Sequence, residues 1–320
     1  MGEDLRMQYL HGTENLYLPS DCAVTLGKFD GVHRGHQKLI HKVEELSRER
    51  GLLSAAFTFD HIPLRLLPPS GQQFLSTNEE RRHAFEQMGL AYEVEFPFTG
   101  ELMNMSAQDF IGEILVRRLR ARAVVVGSDF RFGKGRAGDA GMLVRAGKEA
   151  GFETFVMEKE KWRGQEISST LVRRKLMEAR MEDVTQLLGH PYQVMGTVAL
   201  GNQLGRKMDM PTLNLYPQAR KLLPPHGVYA SRTVLDGKVY DGVTDIGVRP
   251  TVGQKEDQVR VETNLFSYSR EGEDYGRPIE VMLYAFLRPE IKFDNLALLQ
   301  EQMHADAKAA QKYLQVHTAL

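Results

Sequence analysis

Two histidines three apart, His33 and His36, stand in the stretch "TLGKFDGVHRGHQKLI", Thr25 to Ile40. An apolar lead-in precedes them, followed by Gly27 and Gly31 with Phe29 and Asp30 between, and a helix-like pattern comes after. Glycines after a strand let backbone N–H groups approach a phosphate closely. Imidazoles at the opening of a helix add donors where the helix dipole favours anions. The pattern therefore reads as an anion site made of local parts. Zinc is the poorer reading, because no third ligand stands near in sequence.

Three further groups could do chemistry. "GQEISSTLVRRKL" places Ser168, Ser169 and Thr170 before Arg173. Hydroxyls and free amides opening a helix, with a guanidinium one turn in, suit a triphosphate tail. Taken alone, a serine-capped helix is the simpler account. "VVVGSDFRFGKGRAGD" holds Gly127, Asp129, Phe130 and Phe132; its aromatics either pack on a flat ring or sit in a core. "GTVALGNQLGRKMDMPTLNL" leads through Gly196, Gly201 and Gly205 to Thr212 and Asn214. A glycine-bearing loop can wrap phosphates, and a threonine hydroxyl and an asparagine carbonyl are hard oxygen ligands suited to magnesium. Glu262, alone, reads as a solvated glutamate.

The rest of the chain must hold these groups in place. It has 320 residues, 42% hydrophobic and 26% charged, enough for about two globular domains. A net charge of -1 gives no global field to recruit nucleic acid or an anionic membrane, so any anion binding must come from local groups. A single cysteine, Cys22, excludes an internal disulfide and fits a reducing cytoplasm. No apolar run approaches the roughly 20 residues of a membrane span, and the start lacks a signal peptide's basic and apolar regions. The expectation is a cytoplasmic monomer or weak homo-oligomer.

The first half alternates strands ("CAVTLG", "LLSAAFTF", "YEVEF", "AVVVG", "ETFVME") with helices. Leu39, Ile40, Val43 and Leu46 keep helical spacing up to Gly51, and Ser76 with Glu79 or Thr77 with Glu80 can form a capping box. Phe110, Ile111, Ile114, Leu115 and Leu119 share another helical face, and further helices are expected near Met142 to Ala150 and from Ser169. Alternation implies an α/β domain with a parallel sheet covered on both faces, whose ligands gather beyond the strand C-termini. The second half is β-rich, with a hairpin at Asp236-Gly237, and reads as an antiparallel barrel. Leu296, Leu299, Met303, Ala307, Ala310 and Leu314 form one stripe of a terminal helix that Asp294 would cap. The expected domains are 1–186 and 187–320.

"GKFDGVHRGH" resembles the GxFDGxHxGH signature of the nucleotidyltransferase superfamily, and "ISSTLVR" resembles its ISSTxxR motif. The GxDFxFG loop resembles one branch, the FMN adenylyltransferase module of bifunctional prokaryotic FAD synthetases. "GNQLGRKMDMPTLN", "GVYA", "GVTDIGVRPT", "VRVETNL" and "LRPEIKF" resemble riboflavin kinase blocks in order. The resemblance covers nearly the whole chain. It implies a Rossmann-like nucleotidyltransferase domain, then a riboflavin-kinase barrel with a C-terminal helix. It implies two reactions, riboflavin plus ATP to FMN, and FMN plus ATP to FAD and pyrophosphate, with Mg2+. By the same resemblance His33 and His36 serve adenylyl transfer, beside Gly27, Phe29, Asp30 and Gly31. Ser168, Ser169, Thr170 and Arg173 bind phosphates, and Gly127, Asp129, Phe130 and Phe132 meet the nucleotide or flavin. In the kinase half, Gly201, Gly205 and Arg206 hold ATP phosphates, Thr212 and Asn214 the metal, and Glu262 is the base. The chain departs from the family pattern at Lys28, at Asp60 to Pro63, at Asp209 and at Asn264. A protein retaining one activity, or a non-catalytic flavin- or nucleotide-binding regulator, is the alternative.

Overall fold

In a computed structural model, residues 6–12, 16–60, 73–97, 99–200, 210–249, 258–268 and 274–317 are described. Two compact units form, Met1–Ser168 and Ser169–Leu320.

Six strands form the sheet of the first unit, the central ones buried on both faces and the two edge strands more exposed. They are β1 (Gln8–His11), β2 (Cys22–Leu26), β3 (Leu53–Phe59), β4 (Tyr92–Phe96), β5 (Ala121–Gly127) and β8 (Glu153–Met157), in sheet order β1-β4-β3-β2-β5-β8. All pairings are parallel. Two hairpins intervene: β6 (Arg131–Phe132) with β7 (Gly138–Asp139), and β9 (Lys161–Trp162) with β10 (Gln165–Glu166). β1, an edge strand with only four residues and no apolar run, was not foreseen.

Side chains alternate between the two faces. Ala23, Ala56, Ala123 and Val125 join Ile40, Val43 and Leu46 of α1 (Arg34–Arg50) and Phe85 of α2 (Asn78–Gln87). Cys22, Val24, Leu26 and Phe57 turn the other way. They meet Ile111, Ile114 and Leu115, and Leu143 of a helix, Ala140–Ala150. α3 (Gly100–Asn104) and α4 (Ala107–Asp109) lead into a π-helix, Phe110–Arg118, and α5 is the Ala140–Ala150 helix. The wider turn keeps all five expected apolar residues, Phe110 to Leu119, buried. α1 ends at Gly51 in a left-handed conformation, as expected, and α2 opens with the Thr77–Glu80 capping box.

The second unit opens with α6 (Ser169–Met177) and α7 (Met181–Leu188). Six antiparallel strands then close a barrel: β11 (Tyr192–Ala199), β12 (Thr212–Leu215), β13 (Gly227–Leu235), β14 (Lys238–Arg249), β15 (Gln258–Leu265) and β16 (Pro278–Pro289). Their order is β11-β12-β15-β14-β13-β16, with β16 returning to β11. The Asp236-Gly237 turn joins β13 to β14, both residues at positive φ. α7 packs on β11 and β16, and α8 (Leu296–Val316) packs on β13 and β14. Asn295, rather than Asp294, caps α8, its side chain accepting from the Leu298 amide at 3.0 Å. The compact units part about one helix pair earlier than residue 187, because α7 buries Met181, Val184, Leu187 and Leu188.

Candidate active sites

β2 lies at the switch of winding: the chain adds β3 on one side and β5 on the other. Loops at such a crevice gather ligands. The turn after β2 carries the histidines, and the turn after the adjacent β5 carries Asp129.

The first turn is bent hard. Phe29 and Val32 hold φ of 49° and 38°, a region non-glycine residues avoid, and Gly31 holds φ 84°. Buried neighbours enforce this. The Phe29 ring is fully buried and packs edge-on against His36 at 5.2 Å and Phe85 at 5.3 Å. The Asp30 carboxylate accepts from the amides of Leu75 at 2.8 Å and Ser76 at 3.3 Å, and the Gly31 amide donates to Ser76 Oγ at 2.9 Å. Asp30 thus pins the turn in place. Lys28 is exposed.

His33 is the N-cap of α1, so the helix's open amides lie beside it. Its ring stacks on that of His36, centroids 3.7 Å apart and planes 15° from parallel. Gly35 permits this, because a Cβ there would stand 3.2 Å from the His33 ring. The Nδ1 atoms of both rings are buried, with no hydrogen-bond partner among the described residues. Burial pushes His33 down to about 4, and burial followed by the charge of His33 holds His36 well below the usual histidine range. Both rings are therefore neutral near pH 7. They offer N–H donors and acceptors rather than fixed positive charge.

Asp129 is exposed, and its carboxylate meets Lys159 Nζ at 2.9 Å; Lys159 also meets Glu166 at 2.9 Å. Phe132 belongs to the core and touches Phe110. Phe130 is half-buried and stacks on Phe132 at 5.7 Å. The core reading therefore holds for Phe132. Gly127 ends β5. Ser168 closes the first unit, while Ser169, Thr170 and Arg173 lie on α6 in the second.

In the barrel, strand register assembles the second constellation. β12, β15 and β14 lie side by side, so Thr212, Asn264 and Val243 form one transverse row and Asn214, Glu262 and Asp245 the next. Thr212 Oγ1 donates to Glu262 Oε1 at 2.6 Å, and Arg260 donates to Glu262 Oε2. Asn264 Nδ2 donates to the Pro211 carbonyl at 2.8 Å. The Asn214 carboxamide oxygen is buried, with no hydrogen-bond partner among the described residues. Such an orphaned acceptor beside a threonine hydroxyl and a carboxylate fits a hard divalent cation.

A cleft of about 500 Å³ opens over these rows. Thr212, Glu262, Asn264 and Asp245 form its polar side, and Phe293, Leu296, Leu299 and Met303 an apolar wall. The α8 stripe therefore splits. Ala310 and Leu314 are core, whereas Leu296, 63% exposed, faces the cleft. Asp245 and this wall were missed. Alternation along β14 could have flagged Asp245, and a stripe running past the barrel could have flagged the wall. Gly201, Gly205, Arg206, Asp209 and residues 61–63 lie outside the described residues.

A family model described as FAD synthetase matches residues 17–171, and one described as riboflavin kinase matches residues 188–314. Over 311 residues the chain is 36% identical to the bifunctional riboflavin kinase/FMN adenylyltransferase of Escherichia coli (strain K12), covering 96% of this chain and 98% of that protein. Its likeness to the protein of that name from Listeria monocytogenes is 33% over 303 residues, covering 93% and 95%. Among solved structures, a macrolide-efflux protein from Streptococcus pneumoniae shares the fold, with TM-score 0.83 and 26% identity, covering 96% of this chain and 99% of that one.

Proposed function

Because the chain belongs to the family of bifunctional riboflavin kinase/FMN adenylyltransferases, we propose that it runs two ATP-dependent reactions at separate sites. Riboflavin is phosphorylated to FMN, and FMN is adenylated to FAD with release of pyrophosphate.

Phosphorylation falls to the barrel cleft. The riboflavin 5′-hydroxyl is a poor nucleophile, and Glu262 is the group that takes its proton. Arg260 and Thr212 hold that carboxylate in one orientation. A threonine hydroxyl can donate to Glu262 while its lone pairs face a cation. Thr212 and Asn214 would hold Mg2+, which would supply positive charge to offset that on the transferring phosphoryl group. Phe293, Leu296, Leu299 and Met303 suit the flat, apolar isoalloxazine ring. Gly201, Gly205 and Arg206 are assigned to the ATP phosphates by their motif.

Adenylyl transfer falls to the turn after β2. The nucleophile is the FMN phosphate, already anionic, so no strong base is needed. Positioning and charge stabilisation at the α-phosphate carry the step. His33 and His36 act there as neutral donors, reinforced by the open amides of α1. Ser168, Ser169, Thr170 and Arg173 are assigned to the departing pyrophosphate by the ISSTxxR motif, and Gly127, Asp129 and Phe130 to the nucleotide or flavin by theirs.

The functional boundary near residue 187, a cytoplasmic location, a monomeric or weakly associated state and the absence of a nucleic-acid partner belong to the same reading. No helix among the described residues is long and apolar enough to cross a membrane.

The orphaned Asn214 oxygen beside the Thr212–Glu262 bond carries the reading of the barrel site. The test is to incubate the protein with riboflavin, magnesium and ATP and chromatograph the flavins. FMN and FAD together support two working sites. FMN alone leaves one, and neither product reduces the protein to a binder.

A further inference from the structure

Neighbouring strands of the first unit bring a third group together, apart from the residues assigned above. β1 ends at His11, which stands in register with Glu95 of β4. Asp60 follows β3, its amide bonded to the Phe96 carbonyl at 3.0 Å. Three adjacent parallel strands thus deliver one donor each to the C-terminal edge of the sheet. We propose that His11, Asp60 and Glu95 form a binding site for a borderline divalent cation of the zinc class.

His11 Nε2 lies 3.9 Å from Asp60 Oδ2 and 3.9 Å from Glu95 Oε1, and the three donor atoms lie within 4.8 Å of one another. At 3.9 Å neither contact is a hydrogen bond. A cation bound at about 2.0–2.2 Å from each donor needs them roughly 3–3.6 Å apart. The half-exposed side chains of His11 and Asp60 can make that adjustment around the buried Glu95.

Charge points the same way. Arg81, buried, meets Glu93 at 3.3 Å and Glu95 at 2.5 Å, and Arg82 meets Glu93 at 3.4 Å. With Asp60, three carboxylates face two guanidiniums, so among the described residues one negative charge beside a buried pair lacks a guanidinium partner. Outer contacts orient the donors. Asn78 Nδ2 donates to Asp60 Oδ1 at 2.7 Å and to Glu95 Oε1 at 3.1 Å. The Tyr9 hydroxyl donates to Glu95 Oε1 at 3.2 Å, and the cation replaces this longer bond. The imidazole selects against magnesium, which prefers oxygen alone. The ion ties together the ends of β1, β3 and β4. A proton on His11 would meet the same charge, so the test must read metal directly.

The full chain, stripped with a chelator and kept in excess magnesium, is titrated with Co2+ as a visible stand-in for zinc. One equivalent should bind with visible absorption, be displaced by Zn2+ and raise the thermal midpoint. His11→Ala and Asp60→Asn should each abolish the absorption, while Asn78→Ala should weaken affinity about 10- to 100-fold. A far-ultraviolet circular dichroism spectrum matching the parent's, with the thermal transition of the first unit retained, reports that the variants are folded. Absence of Co2+ binding by the unaltered protein, or an undiminished spectrum in His11→Ala, would overturn the proposal.

Discussion

The imidazoles of His33 and His36 are stacked 3.7 Å apart, and both are held neutral by burial. Two protonated rings at that separation would repel, so the pair binds at most one proton easily. In the proposed adenylyl transfer such a site would meet phosphate with neutral donors and helix amides rather than with an imidazolium pair.

This stack ties stability to pH. His33 titrates near 6.5 when unfolded and about 4 when folded, so the unfolded chain binds more protons between those values. Stability is fully present above pH 6.5 and is lost as pH falls toward 4, by at most about 3 kcal/mol from this residue. Chemical denaturation from pH 7.5 to 4 should show that loss, and His33→Asn should flatten the curve. An unchanged slope in the variant would refute the linkage.

His36→Ala should abolish FAD formation and leave FMN formation largely intact, as read by flavin chromatography. Equal loss of both activities in a folded variant would sink the separate-site model.

Glu262→Gln should do the reverse, stopping riboflavin phosphorylation while added FMN is still adenylated. Thr212→Val should also lower phosphorylation, by about 10- to 100-fold, and raise the magnesium needed for half-maximal rate. Normal riboflavin turnover by Glu262→Gln would remove it as the base.

Arg81→Met should destabilise the first unit by about 3–5 kcal/mol, because buried Glu95 would lose its guanidinium and buried Glu93 would keep only Arg82. Calorimetry checks this; a midpoint within a degree of the parent would contradict the pairing.

A fragment of residues 169–320 should fold and phosphorylate riboflavin. One beginning at 187 should be clearly less stable, since it lacks Met181 and Val184, both fully buried. Equal thermal midpoints would show that α7 is dispensable to the barrel.

The order of strands and helices, the parallel sheet, the barrel and the motif positions were legible because each rests on local signals. Alternation, capping residues and glycine turns act within a few residues, so "YEVEF" became β4 with its bounds intact. The Thr77–Glu80 box and the Asp236-Gly237 hairpin also appeared as read.

What the sequence alone determined about this protein was which residues are candidates to meet phosphate and metal, and on which turn or strand each stands. Tertiary structure decided how they work. His33 and His36 are neutral because the fold buries them, Phe132 is core because Phe110, at the start of the π-helix, packs against it, and Asp30 became a clamp through Leu75 and Ser76. Thr212 finds Glu262 only through the pairing of β12 with β15. The cleft wall exists only because Phe293 and the first turns of α8 are brought against the rows of β12, β15 and β14. Burial, desolvation and cross-strand contact depend on residues far apart in the chain, and no local pattern records them.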